Sequence, residues 1–300
     1  MEYKNNKNRI DGLIRFAIAI TALNIIGQLF LGFEHSFLHL IVAWLSAYVL
    51  EMTMETVSSK FENRKPLFSG SLRNLIIFLL PGHIASTAIC MLVFTNTDLR
   101  YIVFGVAVTI LSKYIFKVRI NGNMRHFLNP SNTGISSLFL LFPGQVGSIP
   151  PYQYTENLWG YGDILLCLFF IALGSYINLK YTKRMPVVLA WIAGFILQTV
   201  IRTSLADTAT VSSLLIMTGP AFLLFSFYMV EDPGTTPYKV KHQIIFGLTV
   251  ALIYGLLMYI HIPFNMFFAL VATCCLRGII LFIKSLNDKR NTVLLTSGTL

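Results

Sequence analysis

Runs of about 20 mostly apolar residues recur from one end of this chain to the other, and that repetition limits the fold more than any other feature. A hydrocarbon core about 30 Å thick needs about 20 apolar residues per helix. Inside it every backbone N–H and C=O must be satisfied within the segment, which leaves helices for runs of this kind. Only 12% of the 300 residues are charged and 55% are hydrophobic, where a soluble domain carries about 25% charged residues. Most of the runs lack the polar face that a soluble bundle needs. The expected fold is an all-α, polytopic integral membrane protein with about ten transmembrane helices.

The spans fall near 12–32, 37–57, 72–94, 101–117, 133–146, 163–179, 186–201, 211–229, 244–260 and 264–283. The chain reads as one membrane domain: a segment over 1–11, a bundle over 12–284 and a tail over 285–300. The fifth span is short, which raises a broken or re-entrant segment as an alternative. The basic residues decide against re-entry. Lys60, Arg64, Lys65 and Arg73 fall in one connection, Lys117, Arg119 and Arg125 in another, and Lys180, Lys183 and Arg184 in a third. Lys239 and Lys241 follow, and both ends are basic. The connections between these are nearly bare of Lys and Arg. Cytoplasmic loops collect Lys and Arg, so an even number of spans with both termini cytoplasmic is expected. A re-entrant fifth segment would put Lys180, Lys183 and Arg184 outside.

This topology also accounts for the formal net charge of +10, and no nucleic-acid partner is expected. No cleavable signal peptide is evident, so the first span is expected to act as its own insertion signal. Cys90, Cys167, Cys274 and Cys275 all lie in apolar runs, without metal-ligand spacing to His, and read as small packing residues. Tyr152, Tyr154, Trp159 and Tyr161 cluster after the fifth span, as an interfacial aromatic belt would.

Two connections look alike. One reads Arg125-His126-Phe127-Leu128-Asn129-Pro130-Ser131-Asn132-Thr133-Gly134, the other Val230-Glu231-Asp232-Pro233-Gly234-Thr235-Thr236-Pro237. Asn-Pro and Asp-Pro start turns, because Pro pushes the preceding residue out of the helical region. The hydroxyls and amides that follow suit an N-cap, so each loop can be read as a capped helix start. The same groups suit a phosphate or another anion, because a helix N-terminus presents free N–H groups. Arg125, Lys239 and Lys241 would add positive charge.

With these blocks, Phe142-Pro143, Lys183-Arg184-Met185-Pro186, Thr218-Gly219-Pro220-Ala221 and Phe227-Tyr228-Met229, the chain resembles the RnfD/NqrB family. These are the membrane subunits D of Rnf-type and B of Nqr-type electron-transport complexes. The similarity covers most of the chain, and its specific part is the Asn-Pro and Asp-Pro blocks. The resemblance implies ten spans in a bacterial plasma (inner) membrane. It also implies other membrane or redox subunits as partners, and bound flavin that passes electrons within an ion-transporting oxidoreductase. Such a subunit is not a catalyst on its own. Family members carry FMN on a Thr within Ser-Gly-Ala-Thr, but here the loop after the fifth span holds Thr155 without that motif. Asp207-Thr208-Ala209-Thr210 is only faintly similar and lies in a different loop. The flavin, FMN or riboflavin, is therefore expected to be non-covalent. The cofactor-binding residues expected are Arg125, Asn129, Ser131, Asn132, Thr133, Asp232, Thr235 and Thr236, with His83 as a possible ring contact or proton relay.

Within the spans, Pro81-Gly82 before His83 suggests a broken third helix lining a cavity. The alternative for His83 is a neutral imidazole bonded to a neighbouring helix. Glu51 and Glu55 are one turn apart and expected to pair with Lys60 or Lys113. Gln198 and Asn265 read as interhelical hydrogen-bonders. A transporter or channel for a small polar solute is the alternative function, and a scaffold subunit a third.

Overall fold

The computed structural model describes residues 2–120, 123–149, 151–206 and 209–297, and side chains over 10–119, 124–149, 153–205 and 209–287. Asp207 and Thr208, and the side chains of Tyr152, Lys4, Lys7, Arg9, Lys289 and Arg290, lie outside the described parts. The helices are α1 (Glu2–Ile26), α2 (Phe37–Phe61), α3 (Leu72–Leu92), α4 (Leu99–Ile115), α5 (Pro130–Leu141) and α6 (Gly162–Ile177). They continue as α7 (Met185–Ala206), α8 (Thr210–Leu215), α9 (Pro220–Leu224), α10 (Val240–Tyr259) and α11 (Asn265–Ser297). Seven helical segments are long and apolar enough to cross a membrane. An eighth is a bent pair, Thr210–Thr218 and Pro220–Met229, that turns by 64° at Gly219. Gly219 is extended there, with ψ 143°, and Pro220 opens the next piece at its first position, where its missing N–H is one of the orphan donors anyway.

Large apolar side chains point outward all round the bundle: Phe30 is 69% exposed, Leu45 58% and Leu252 61%. In water this would be an untenable surface; against lipid it is the expected one. Trp159 and Tyr161 are also strongly exposed, as a belt requires, whereas Tyr154 turns inward and donates to Met91 O at 2.7 Å.

Two small antiparallel ribbons close the two ends. β1 (Val93–Phe94) pairs with β4 (Gly147–Ser148), and β2 (Lys117–Ile120) pairs with β3 (Asn123–His126). α5 has 12 residues, which at 1.5 Å each give about 18 Å of helix, too little for the hydrocarbon core. After Leu141 a turn over 142–146, in which Gln145 N and Val146 N both donate to Phe142 O, leads into the β1–β4 ribbon.

Three expectations are corrected by this architecture. α3 is unbroken, with Pro81 inside it. The space that Gly82 leaves is filled by a side chain from α2: a Cβ there would stand 2.6 Å from Glu51 Cδ. Glu55 pairs with Arg64, not with Lys60, and also accepts from Leu67 N at 2.9 Å; Glu51 pairs with Lys113 as expected. Gln198 bonds within its own helix, to Phe195 O and Thr199 Oγ1. Asn265 does reach α10, through Met258 Sδ.

Candidate functional site

Asn129 shows why the first proline loop folds as it does. Its side-chain oxygen accepts from Asn132 N at 3.1 Å and caps α5, while Pro130 occupies the first helical position. Ser131 Oγ donates to the same oxygen, and Thr133 Oγ1 donates back to Asn129 O at 2.7 Å. These bonds satisfy donors that a helix start otherwise leaves orphaned.

The second loop is built differently. Asp232 Oδ1 accepts from Gly234 N at 3.3 Å, and Oδ2 accepts from Thr235 Oγ1 at 2.8 Å, an aspartate turn. Thr236 Oγ1 donates to Asp232 O. No helix starts there. Pro237 removes an N–H and keeps Thr236 out of the helical region, so α10 begins only at Val240, without a side-chain cap. The expectation of two matching helix starts thus holds for Asn129 and fails for Asp232.

The two loops meet. Asn129 Nδ2 donates to Met229 O across 100 positions of sequence, at 2.9 Å. His126 lies over Gly234, where a Cβ would stand 2.8 Å from its Nε2. Only glycine leaves room for that ring. α11 holds both loops: Arg277 donates to Thr235 O, and Asn132 Nδ2 donates to Phe267 O at 2.9 Å. Arg125 donates to Tyr238 OH at 2.9 Å, and Arg184 sits 4.6 Å above the same ring. Asn178 Nδ2 ties the preceding connection to Phe227 O.

Of the expected site residues, Arg125, Asn129, Asp232, Thr235 and Thr236 come together here. Ser131 joins them and also lines an apolar crevice of about 80 Å³ with Phe16, Ile84, Phe170, Tyr228 and Met229. Asn132 and Thr133 face the bundle interior. Lys239 and Lys241 are exposed. His83 belongs elsewhere, between α1 and α2.

Four residues of this site were not on the expected list: His126, Arg184, Glu231 and Arg277. An arginine within the apolar run of α11 was the available signal, since charge at that depth is rare without a role. Arg184 is 2% exposed and Glu231 4%. Burial pushes the Glu231 carboxyl up to about 8; Asp232 pushes the same way and Arg184 opposes both. Burial also lowers the His126 imidazole, against the pull of Asp232. Arg184 Nε, Glu231 Oε2 and Asn132 Oδ1 are buried without a protein partner among the described residues. The site thus holds cationic and hydrogen-bonding groups beside an aromatic crevice. No protein-family model matches this chain, and no curated protein matches it.

Proposed function

We propose that this chain is a ten-span subunit of a membrane electron-transport system of the RnfD/NqrB kind, with both termini in the cytoplasm of a bacterial cell. It holds FMN or riboflavin non-covalently at the paired proline loops and passes electrons to partner subunits, possible coupling to ion transport included. One observation carries the reading: Asn129 Nδ2 bonded to Met229 O joins the two blocks of the resemblance into one site.

The polar end of a flavin suits the groups present. Arg184 Nε and Asn132 Oδ1 have hydrogen-bonding capacity to spare, and Arg125 brings a guanidinium. The aromatic end is tighter. The crevice beside Ser131 is about 80 Å³, bounded by the stacked Phe16 and Tyr228 rings 5.8 Å apart. A three-ring system enters only if those side chains move. A bound flavin supplies one- and two-electron redox chemistry; Arg184 and Asn132 would orient it, and the crevice would exclude water.

Purification in detergent tests the reading. The protein should show the visible flavin band, and Asn129→Ala with Asp232→Ala should lose it. A colourless protein that also fails to take up added FMN or riboflavin overturns it. A solute transporter is the second reading, favoured by the 64° bend in the eighth segment and by a cavity of about 500 Å³ lined by Glu34, Ser36, His39 and Asn96. Solute flux in proteoliposomes without a redox partner would support that alternative.

A further inference from the structure

Away from the proline loops, a polar seam runs through α1, α2 and α3, buried at Asn24, Glu51 and Glu55 and half-buried at Thr21, Trp44, Tyr48 and His83. On α2 it consists of Trp44, Tyr48, Glu51 and Glu55, spaced four, three and four residues apart, so they share one face. Glu55 is held by Arg64 at one end of the bundle. Glu51, 2% exposed, gives Oε1 to Lys113, while its Oε2 has no partner among the described residues. One turn further along α2, the Tyr48 hydroxyl is 2.7 Å from His83 Nδ1. The other ring nitrogen, Nε2, is 2.7 Å from Thr21 Oγ1.

The bonding fixes the histidine tautomer. Thr21 Oγ1 donates its one proton to Ala17 O at 2.7 Å. It can only accept from His83, so Nε2 carries the proton. Nδ1 is then an acceptor, and Tyr48 O–H donates to it. The Trp44 ring stacks on the imidazole at 4.8 Å and holds its plane.

The seam continues toward the other end along α1. Thr21, Asn24 and Gln28 are spaced three and four apart. Asn24, fully buried, lies 3.3 Å from His35 Nε2 through its Oδ1. The turn at Gly27–Leu31 packs against Pro151–Tyr154, which carries the fully buried Gln153. Asn24 Nδ2, His35 Nδ1 and both polar side-chain atoms of Gln28 and Gln153 lack protein partners among the described residues. Six unpaired donors and acceptors in one apolar bundle are expensive unless water pairs them. The His35 ring is 6.3 Å from that of His39, which lines the open cavity of about 500 Å³. At the opposite end the Lys113 side chain is 16% exposed.

The geometry points to a proton-conducting path: Lys113–Glu51, Tyr48, His83 and Thr21, then a hydrated stretch lined by Asn24, Gln28, His35 and Gln153. A proton from the Glu51 carboxyl passes to the Tyr48 oxygen as the Tyr48 hydroxyl proton moves to His83 Nδ1. The Nε2 proton leaves for the Thr21 oxygen, whose own proton turns away from Ala17 O and moves on to the hydrated stretch. One proton enters and one leaves, with no electron transferred. The ring is left as the other tautomer, and a half-turn of the imidazole with reorientation of the Tyr48 and Thr21 hydroxyls resets it. The titratable and charged groups facing the path are Glu51 and Glu55 from α2, Lys113 and Tyr114 from α4, Arg64 from the loop, and His35 and His39 at the far end. The path does not depend on the flavin reading.

The test uses the full chain in proteoliposomes with a trapped pH dye and an imposed potassium diffusion potential. The wild type should carry protons well above empty liposomes. Tyr48→Phe removes one hydroxyl and keeps the ring; it should lower the flux by roughly tenfold or more, and His83→Gln likewise. Thr249→Val, on α10 away from the path, where the hydroxyl donates to Ile245 O of its own helix, should leave the flux unchanged. Each variant is first checked for an unaltered elution profile. Wild-type flux equal to empty liposomes overturns the path, as does a well-folded Tyr48→Phe that conducts like wild type. Sodium flux equal to proton flux overturns the claim for protons. None of these outcomes bears on flavin content, which the absorption spectrum reads separately.

Discussion

At the level of single residues, Asn129 illustrates what the linear chain reveals and what it hides. Its role as a cap follows from Asn-Pro and the small polar residues after it. Its bond to Met229 O does not, because nothing local in either loop specifies a partner 100 positions away. Asn129→Ala removes the cap and leaves Met229 O with only a long bond from Asp232 N, at 3.4 Å, so it should destabilise the protein by about 1–3 kcal/mol. A lower Tm in detergent, against little change for Ser131→Ala, would bear this out; equal Tm values would refute it. Glu231 offers a second test, in pH. Its folded carboxyl, at about 8, holds its proton more tightly than the ordinary value of 4.5. The stability it contributes is therefore fully present below about 4.5 and is lost as pH rises through about 8. Glu231→Gln cannot ionise, so the fall in Tm between those values should flatten. A wild-type Tm that rises across that window, or a slope that the variant keeps, would contradict the assignment.

Helices were the most legible level, because hydropathy and length alone select them inside a bilayer. The exceptions have physical causes. Pro81 with Gly82 looked like a break, yet α3 continues and the small glycine instead accepts the Glu51 carboxylate. The actual bend, at Gly219-Pro220, carries the same two residue types in the opposite order. Composition could not separate the two, because what differs is the neighbour: a carboxylate packs into one, and the other turns. Close helix contact gives the prediction at this level. α5 meets α4 through Gly134, where a Cβ would stand 2.5 Å from Gly105 O. That atom is backbone and cannot swing aside, and overpacking of this kind costs about 1–3 kcal/mol. Gly134→Ala should lower the Tm accordingly. Gly144→Ala, with nothing within 4 Å of its Cβ, should not. If both variants melt alike, the α4–α5 contact is not the tight one described.

Across the whole molecule, the alternation of basic and bare connections is the strongest statement the chain makes about itself. It is legible without a fold because it acts when the segments insert, before they pack. The structure adds contacts that link the basic connections to one another. Arg64 reaches Glu55 near the end of α2, and Lys113 reaches Glu51 one turn away. Arg125 and Arg184 share the Tyr238 ring. The bare connections meet at the other end, where His39 Nε2 contacts Asn96 O and β1 pairs with β4. The charge pattern proposes the basic end as the cytoplasmic one, and cysteine labelling tests that directly. Lys65 and Lys239 are exposed at the basic end, Thr97 and Trp159 at the bare end. The native cysteines are buried or half-buried, which keeps the background low. With a membrane-impermeant maleimide on intact cells, Thr97→Cys and Trp159→Cys should react. Lys65→Cys and Lys239→Cys should react only after the membrane is opened. Labelling of all four in intact cells, or of the basic pair alone, would invert or abolish the assigned orientation. Labelling of Thr97→Cys but not Trp159→Cys would place α5 and the stretch after it outside the ten-crossing scheme, since those two sites sit on either side of it in sequence.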